Sequence, residues 1–135
     1  PVNSKAMASW SGGKDSCLAL WRAQKLGINI THLLTALDES GLKTRSHGVS
    51  KALISLQGKS LGITNTFISA SWQNYEQDFI SKLQKLNAEE GITHAIFGDI
   101  DLLPHREWEE KVCSAANIEA ILPLWNENRW SETPW

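Results

Sequence analysis

Ala6-Met7-Ala8-Ser9-Trp10-Ser11-Gly12-Gly13-Lys14-Asp15-Ser16 is the stretch on which the fold turns. Its first five residues form a short apolar run that breaks at Ser11-Gly12-Gly13, the pattern of a buried strand running into a turn. From Asp15 to Leu26 the pattern becomes helical, with Leu18, Ala19, Trp21 and Ala23 covering the faces and Gly27 as the stop. Trp10 and Trp21 both read as core. A strand-to-helix junction of this composition is suited to a phosphate. The first turn of a helix offers unpaired N–H groups and the positive end of a dipole. Gly12 and Gly13 let the backbone approach an anion and adopt positive φ. The hydroxyls of Ser11 and Ser16 add donors, and Lys14 adds a point charge. Asp15 can cap the helix or hold a Mg²⁺ ion that bridges phosphates. The spacing fits neither the P-loop nor the dinucleotide Gly-x-Gly-x-x-Gly pattern. The competing reading is an ordinary Gly-Gly turn with an Asp cap.

Working outward, apolar runs and helical patterns alternate. Ile28 to Leu37 reads as a second strand, followed by turn chemistry at Asp38-Glu39-Ser40-Gly41. Val49, Leu53, Leu56 and Ser60 fall at helical spacing, with a stop near Gly62, and Asn65 to Ala70 reads as a short strand. Tyr75, Phe79, Leu83 and Leu86 mark an amphipathic helix ending at Gly91. Thr93 to Phe97 is the fourth strand, ending at Gly98. Pro104 suits a first helical turn, Trp108, Val112 and Ala116 continue that helix, and Glu119 to Leu124 is the fifth strand. This order predicts right-handed crossovers, a mostly parallel five-stranded sheet and helices on both faces, an α/β three-layer sandwich. Ligands of such sheets bind outside the carboxyl ends of the strands. Gly12-Gly13, Asp38 and Gly98-Asp99 fall at those ends.

The whole chain has 135 residues, 41% hydrophobic and 21% charged, which is the size and composition of one globular domain. A chain of this length buries about two-thirds of its unfolded surface and needs no staple. With 13 basic and 15 acidic residues the net charge is -2, which argues against general nucleic-acid binding. Cys17 and Cys113 make neither a disulfide framework nor a metal-ligand spacing. No apolar stretch approaches the ~20 residues of a membrane helix, and no signal-type apolar run follows Pro1–Lys5, so the cytoplasm is the expected compartment. Seven tryptophans are present, three of them within residues 125–135.

Ser-Gly-Gly-Lys-Asp-Ser directly after a first strand resembles the PP-loop of the ATP pyrophosphatases. Ser46-His47-Gly48-Val49, Phe97-Gly98-Asp99-Ile100, His105-Arg106-Glu107-Trp108-Glu109 and Leu122-Pro123-Leu124-Trp125 resemble, in this order, the diphthine–ammonia ligase family. The resemblance covers nearly the whole chain. It implies the Rossmann-like adenine-nucleotide α-hydrolase (HUP) fold, ATP and Mg²⁺ as cofactors, and cleavage of ATP between the α and β phosphates. It implies a phosphate-binding role for Ser11, Gly12, Gly13, Lys14, Asp15 and Ser16, with Asp15 placing Mg²⁺. Ala36, Leu37 and Asp38 would lie near the adenine, mostly through backbone groups, and Gly98-Asp99 would face the α-phosphate. Lys14, Asp15 and Asp99 are thus the expected catalytic residues. The reaction implied is adenylation of a substrate carboxylate, then amide formation with ammonia; in diphthine–ammonia ligase that carboxylate belongs to diphthine on elongation factor 2.

Other residues carry two readings. Asp99 and Asp101 either contact Mg²⁺ or substrate, or form a turn before a helix. His47 and Gly48, after Lys43-Thr44-Arg45, either bind the acceptor or a phosphate, or form a polar loop; the resemblance favours the acceptor. Arg106 suits a phosphate or carboxylate, and otherwise belongs to a solvated helix face with His105 and Glu107 beside a core Trp108. Cys17 and Cys113 read as small buried hydrophobes, or as sulfur carriers in a tRNA-thiolating relative. His32 and His94 read as satisfied strand residues. Trp125 reads either as core or as part of the nucleotide crevice. Residues 1–125 are expected to form the ATP-binding domain. Residues 126–135 form a short tail that does not resemble the family's continuation, so the acceptor half is expected to be incomplete and a binding module without turnover is a further alternative. Trp130 and Trp135 in the tail would pack on something, such as a second subunit of a homodimer.

Overall fold

A computed structural model describes residues 4–45, 48–69 and 71–126. The order is β1 (Lys5–Ser9), α1 (Lys14–Lys25), β2 (Asn29–Leu37), α2 (Lys51–Leu61), β3 (Thr64–Ser69), α3 (Tyr75–Glu90), β4 (Ile92–Ile96), α4 (Leu103–Ala115) and β5 (Glu119–Ile121). All strand pairs are parallel, and the strand order is β3-β2-β1-β4-β5. The chain moves outward from β1 to β3 and returns to β4 on the other side of β1. The carboxyl ends of β1 and β4 therefore flank the switch point, where open α/β sheets bind ligands.

Two cores follow from this winding. On one face α1 and α2 bury Ala19, Leu20, Ala23 and Ile54 against Ala6, Ala8 and Leu33. On the other, α3 and α4 bury Phe79, Leu83, Leu86, Val112 and Cys113 against Met7, Leu34 and Ala95. The three layers are those expected. In α3 the apolar spacing gave the buried face correctly, and Gly91 ends the helix at φ +72.

Two expectations, for Trp21 and Cys17, are corrected, and the face that α2 buries is settled. Trp21 is 41% exposed, its ring carrying the Lys25 ammonium at 4.6 Å, because the buried face of α1 runs through Ser16, Ala19, Leu20 and Ala23. In α2, Leu53 and Leu56 face solvent and Ile54 and Gly58 face the sheet. Helical spacing alone did not distinguish these two stripes. Cys17 is exposed, whereas Cys113 is buried as expected.

Strand β2 skips Thr31 and β4 skips Thr93 in register with β1, so each strand carries a bulge at a Thr-His pair. In each pair the threonine Oγ1 lies 2.8 Å from the Nδ1 of its own histidine neighbour. His32 and His94 thus each have a side-chain partner within their strands, before the carboxyl ends that flank the switch point.

Gly58 has a packing reason. A Cβ there would lie 2.2 Å from Asn65 Nδ2, which donates to Ser55 O at 3.2 Å and pins α2 to β3. Helix propensity predicts that Gly58→Ala stabilises by up to about 1 kcal/mol. Displacing the Asn65 amide reverses the sign, and we expect a net loss of about 1–2 kcal/mol in urea unfolding. In an Asn65→Ala background the same substitution should stabilise; loss in both backgrounds would refute this account.

Candidate active site

The exit of β1 is held before the loop begins. Trp10 N donates to Leu34 O at 2.9 Å, Thr35 Oγ1 donates to Trp10 O at 2.6 Å, and the Trp10 indole N–H donates to Gln57 Oε1 at 2.8 Å. Gly12 then takes φ +81, a conformation glycine adopts without Cβ strain. The turn is closed by its own serines: Gly13 N donates to Ser11 Oγ at 3.3 Å, Ser16 Oγ donates to Gly13 O at 3.1 Å, and the two hydroxyls lie 3.2 Å apart. Gly13 is the N-cap of α1, and no side chain caps the helix. The positive dipole end is therefore left without a side-chain acceptor at the cap. Lys14 is exposed and Asp15 is half-buried in the first turn.

Gly98 meets this loop from β4. A Cβ on Gly98 would stand 3.0 Å from Asp15 O, 3.1 Å from Asp15 C and 3.2 Å from Ser16 N. A side chain there would force this backbone to give by a few tenths of an ångström, so glycine best suits the approach, which joins the carboxyl ends of β1 and β4 around one helix N-terminus. Ser11 to Ser16 and Gly98 are thus brought together.

Asp99, the next residue, turns toward α4. Its Oδ1 lies 3.2 Å from His105 Nδ1. Behind it Glu109 is 8% exposed, with Oε1 buried and unpartnered. Burial above all, then the hydrogen bond and negative charge of Asp99, push the Glu109 carboxyl up to about 10, so it is protonated at neutral pH. Sequence reading assigns Glu109 a place in a family motif but no role of its own, because it lies among Glu107, Glu110 and Lys111. The signal was its register: 109, 112, 113 and 116 form an i, i+3, i+4, i+7 set, and all four are buried.

An aromatic group borders this acidic pair. Tyr75 and Trp108 stack at 5.6 Å between centroids, and Phe79 meets Trp108 edge-on at 5.1 Å. The Trp108 indole N–H donates to Glu76 Oε1 at 2.9 Å, so this tryptophan has a polar partner as well as apolar neighbours. Burial raises the Tyr75 hydroxyl, opposed by the nearby Arg45 charge.

The remaining candidates are more dispersed. Ala36 O accepts from Arg45 N and Asp38 N donates to Lys43 O, both at 2.9 Å, so the Lys43–Arg45 segment runs beside the end of β2. Leu37 is buried. The Asp38 carboxyl is held below the usual carboxylate range, chiefly by the Ser40 hydroxyl, and it serves its own turn. Arg106 donates from Nε to Glu110 Oε2 at 3.3 Å and lies 4.8 Å over the half-buried Trp125 ring. Gly48 is exposed at φ +65, and Asp101 is exposed. Ser46, His47, Trp130 and Trp135 lie outside the described residues.

No group of three or more potential metal ligands occurs among the described residues. A Mg²⁺ site built from one carboxylate and substrate phosphates needs no such group, and Asp15 beside the uncapped loop fits that donor set. No described helix is long and apolar enough to cross a membrane.

Among curated proteins none matches the chain. The family described as diphthamide synthase N-terminal domain matches residues 4–120, from the residue before β1 through β5's Ala120. With an all-parallel Rossmann-like HUP sheet and a Ser-Gly-Gly-Lys-Asp-Ser loop at its switch point, the chain belongs to the diphthamide synthase N-terminal domain family of PP-loop ATP pyrophosphatases.

Proposed function

We propose that the chain binds ATP across the carboxyl ends of β1 and β4, cleaves it between the α and β phosphates, and activates a carboxylate for amide formation with ammonia. The observation that carries this reading is the contact of Gly98 with the first turn of α1 at the switch point. Family membership supports ATP use.

In this reading Ser11, Gly12, Gly13 and Ser16 hold the pyrophosphate portion, and Lys14 opposes the charge that grows on the leaving group. Asp15 holds Mg²⁺, which supplies further charge neutralisation. Ala36, Leu37 and Asp38 border the adenine. Gly98 and Asp99 face the α-phosphate, while His47, Gly48 and Arg106 take the acceptor. A carboxylate oxygen bonds to the α-phosphorus and the bond to pyrophosphate breaks. Ammonia then bonds to the acyl carbon, AMP leaves, and the nitrogen gives up a proton to solvent. The acceptor proposed is a protein-borne carboxylate, as in the diphthine ligases, in the cytoplasm. A homodimer through the tail remains part of this proposal. Residues 1–125 would be the ATP-binding domain and 126–135 its tail.

The thiolating alternative loses one of its two cysteines. Burial pushes the Cys113 thiol up to about 12, far from a reactive thiolate, which leaves only the exposed Cys17 in the first turn of α1. Purified protein with ATP, Mg²⁺, ammonium and a carboxylate panel should release AMP and pyrophosphate. Lys14→Ala and Asp15→Ala should each weaken ATP binding about tenfold, the effect of one lost charged contact. Parental ATP affinity in both variants would rule out the loop as the phosphate site. ATP binding without AMP would assign the chain to a module that binds without turnover.

A further inference from the structure

We infer that Arg45 anchors a carboxylate of the acceptor substrate on a rim formed with Trp72 and Tyr75. This rests on the acyl-activating reading above and adds a recognition site to it. The Arg45 backbone is tied to the end of β2 through Ala36 O. Its guanidinium carbon lies 4.3 Å over the Trp72 ring and 5.4 Å from that of Tyr75. Trp72 is 71% exposed, so the stack stands at the surface.

The edge of the guanidinium decides the ligand class. Nε and Nη2 are both buried and without a hydrogen-bond partner. These two nitrogens lie on one side of the planar group and point their N–H bonds in parallel. That fork matches the two oxygens of a carboxylate. A guanidinium stays charged, so an unpaired donor edge shielded from water calls for an anion.

The acids near the aromatic group are otherwise engaged. Glu76 takes the Trp108 indole and the Lys111 ammonium, the latter at 3.2 Å. Asp99 takes His105. Glu109 is neutralised by burial. The rings beside Arg45 come from α3 and the segment before it, and Tyr75 packs on the α3–α4 core. The phosphate loop instead opens α1, on the opposite face of the sheet. A separate oxyanion, not the nucleotide's own phosphates, is the fitting occupant.

The test is proton–nitrogen NMR of the arginine Nε–H groups, of which the chain has four, in the full chain titrated with succinate. A saturable shift is expected for the resonance that disappears in Arg45→Lys, with a much smaller shift from inorganic phosphate. ATP affinity should be the same in Arg45→Lys as in the parent. Trp72→Ala, at an exposed position, should weaken succinate roughly two- to fivefold, the scale of an exposed cation–π contact. No succinate shift at that resonance would overturn the inference, as would an equal response to phosphate or ATP. Absence of ATP binding with the succinate shift intact would remove the ATP reading and leave Arg45 as a carboxylate site.

Discussion

Gly98→Ala is expected to weaken ATP binding by roughly ten- to a hundredfold, the scale at which small misplacements of a binding constellation are felt. The new methyl would meet Asp15 O at 3.0 Å, Asp15 C at 3.1 Å and Ser16 N at 3.2 Å. These are backbone atoms in the first turn of α1, and they cannot rotate aside as a side-chain end can. Relief has to come from moving β4 and α1 apart by a few tenths of an ångström. That movement displaces the helix terminus on which the phosphate reading depends. The accompanying stability loss should be about 1–3 kcal/mol, as for other overpacked sites. Gly91→Ala is the matched control. Gly91 sits at φ +72 with nothing within 4 Å of its added Cβ, at the amino end of β4. Its conformational strain costs about 1–2 kcal/mol, but the loop stays where it is. Calorimetric titration with ATP should therefore separate two variants of similar stability. If Gly98→Ala binds ATP as tightly as Gly91→Ala, the nucleotide does not use this crevice.

The same glycine shows where sequence reading stops. Gly98 was legible as the end of a strand, and its neighbourhood as a ligand crevice, because strand alternation implies a parallel sheet with a switch point. What it touches depends on strand order, and the alternation did not reveal that β4 lies beside β1. The loop itself was legible because its chemistry is local: two glycines, two hydroxyls and a lysine within six residues. Glu109 was legible only as part of a family motif and Arg45 only as a weaker candidate beside His47, since their character comes from burial supplied by distant elements. Arg45 is stacked by Trp72, twenty-seven positions later in the chain. Glu109 is enclosed by α4 packing on α3. Leu53 and Leu56 show that helical spacing does not by itself name the buried face. Their spacing is helical, yet Gly58 and Ile54 provide the closer approach to the sheet. A small residue at the contact outweighed apolar spacing there.

Glu109→Gln is expected to stabilise the protein by about 1–3 kcal/mol at mildly alkaline pH, through removal of a pH-dependent penalty. In the unfolded chain this carboxyl releases its proton near 4.5, whereas in the folded state it holds it to about 10. Between those values the native state binds more protons than the unfolded one. Stability therefore falls as pH rises through that window; the contribution is complete below 4.5 and gone above 10. Glutamine retains the shape and stays neutral, so its variant should lose this slope while matching the parent near the acid end. Urea unfolding of both proteins across a pH series checks it. A parent stability no steeper in pH than that of the variant would mean that Glu109 ionises in the folded state. The proton matters for the site as well. A neutral Glu109 sets no second anion beside Asp99, so Asp99 keeps its place between Glu109 and His105. A charged Glu109 would set two anions side by side and drive Asp99 away from it.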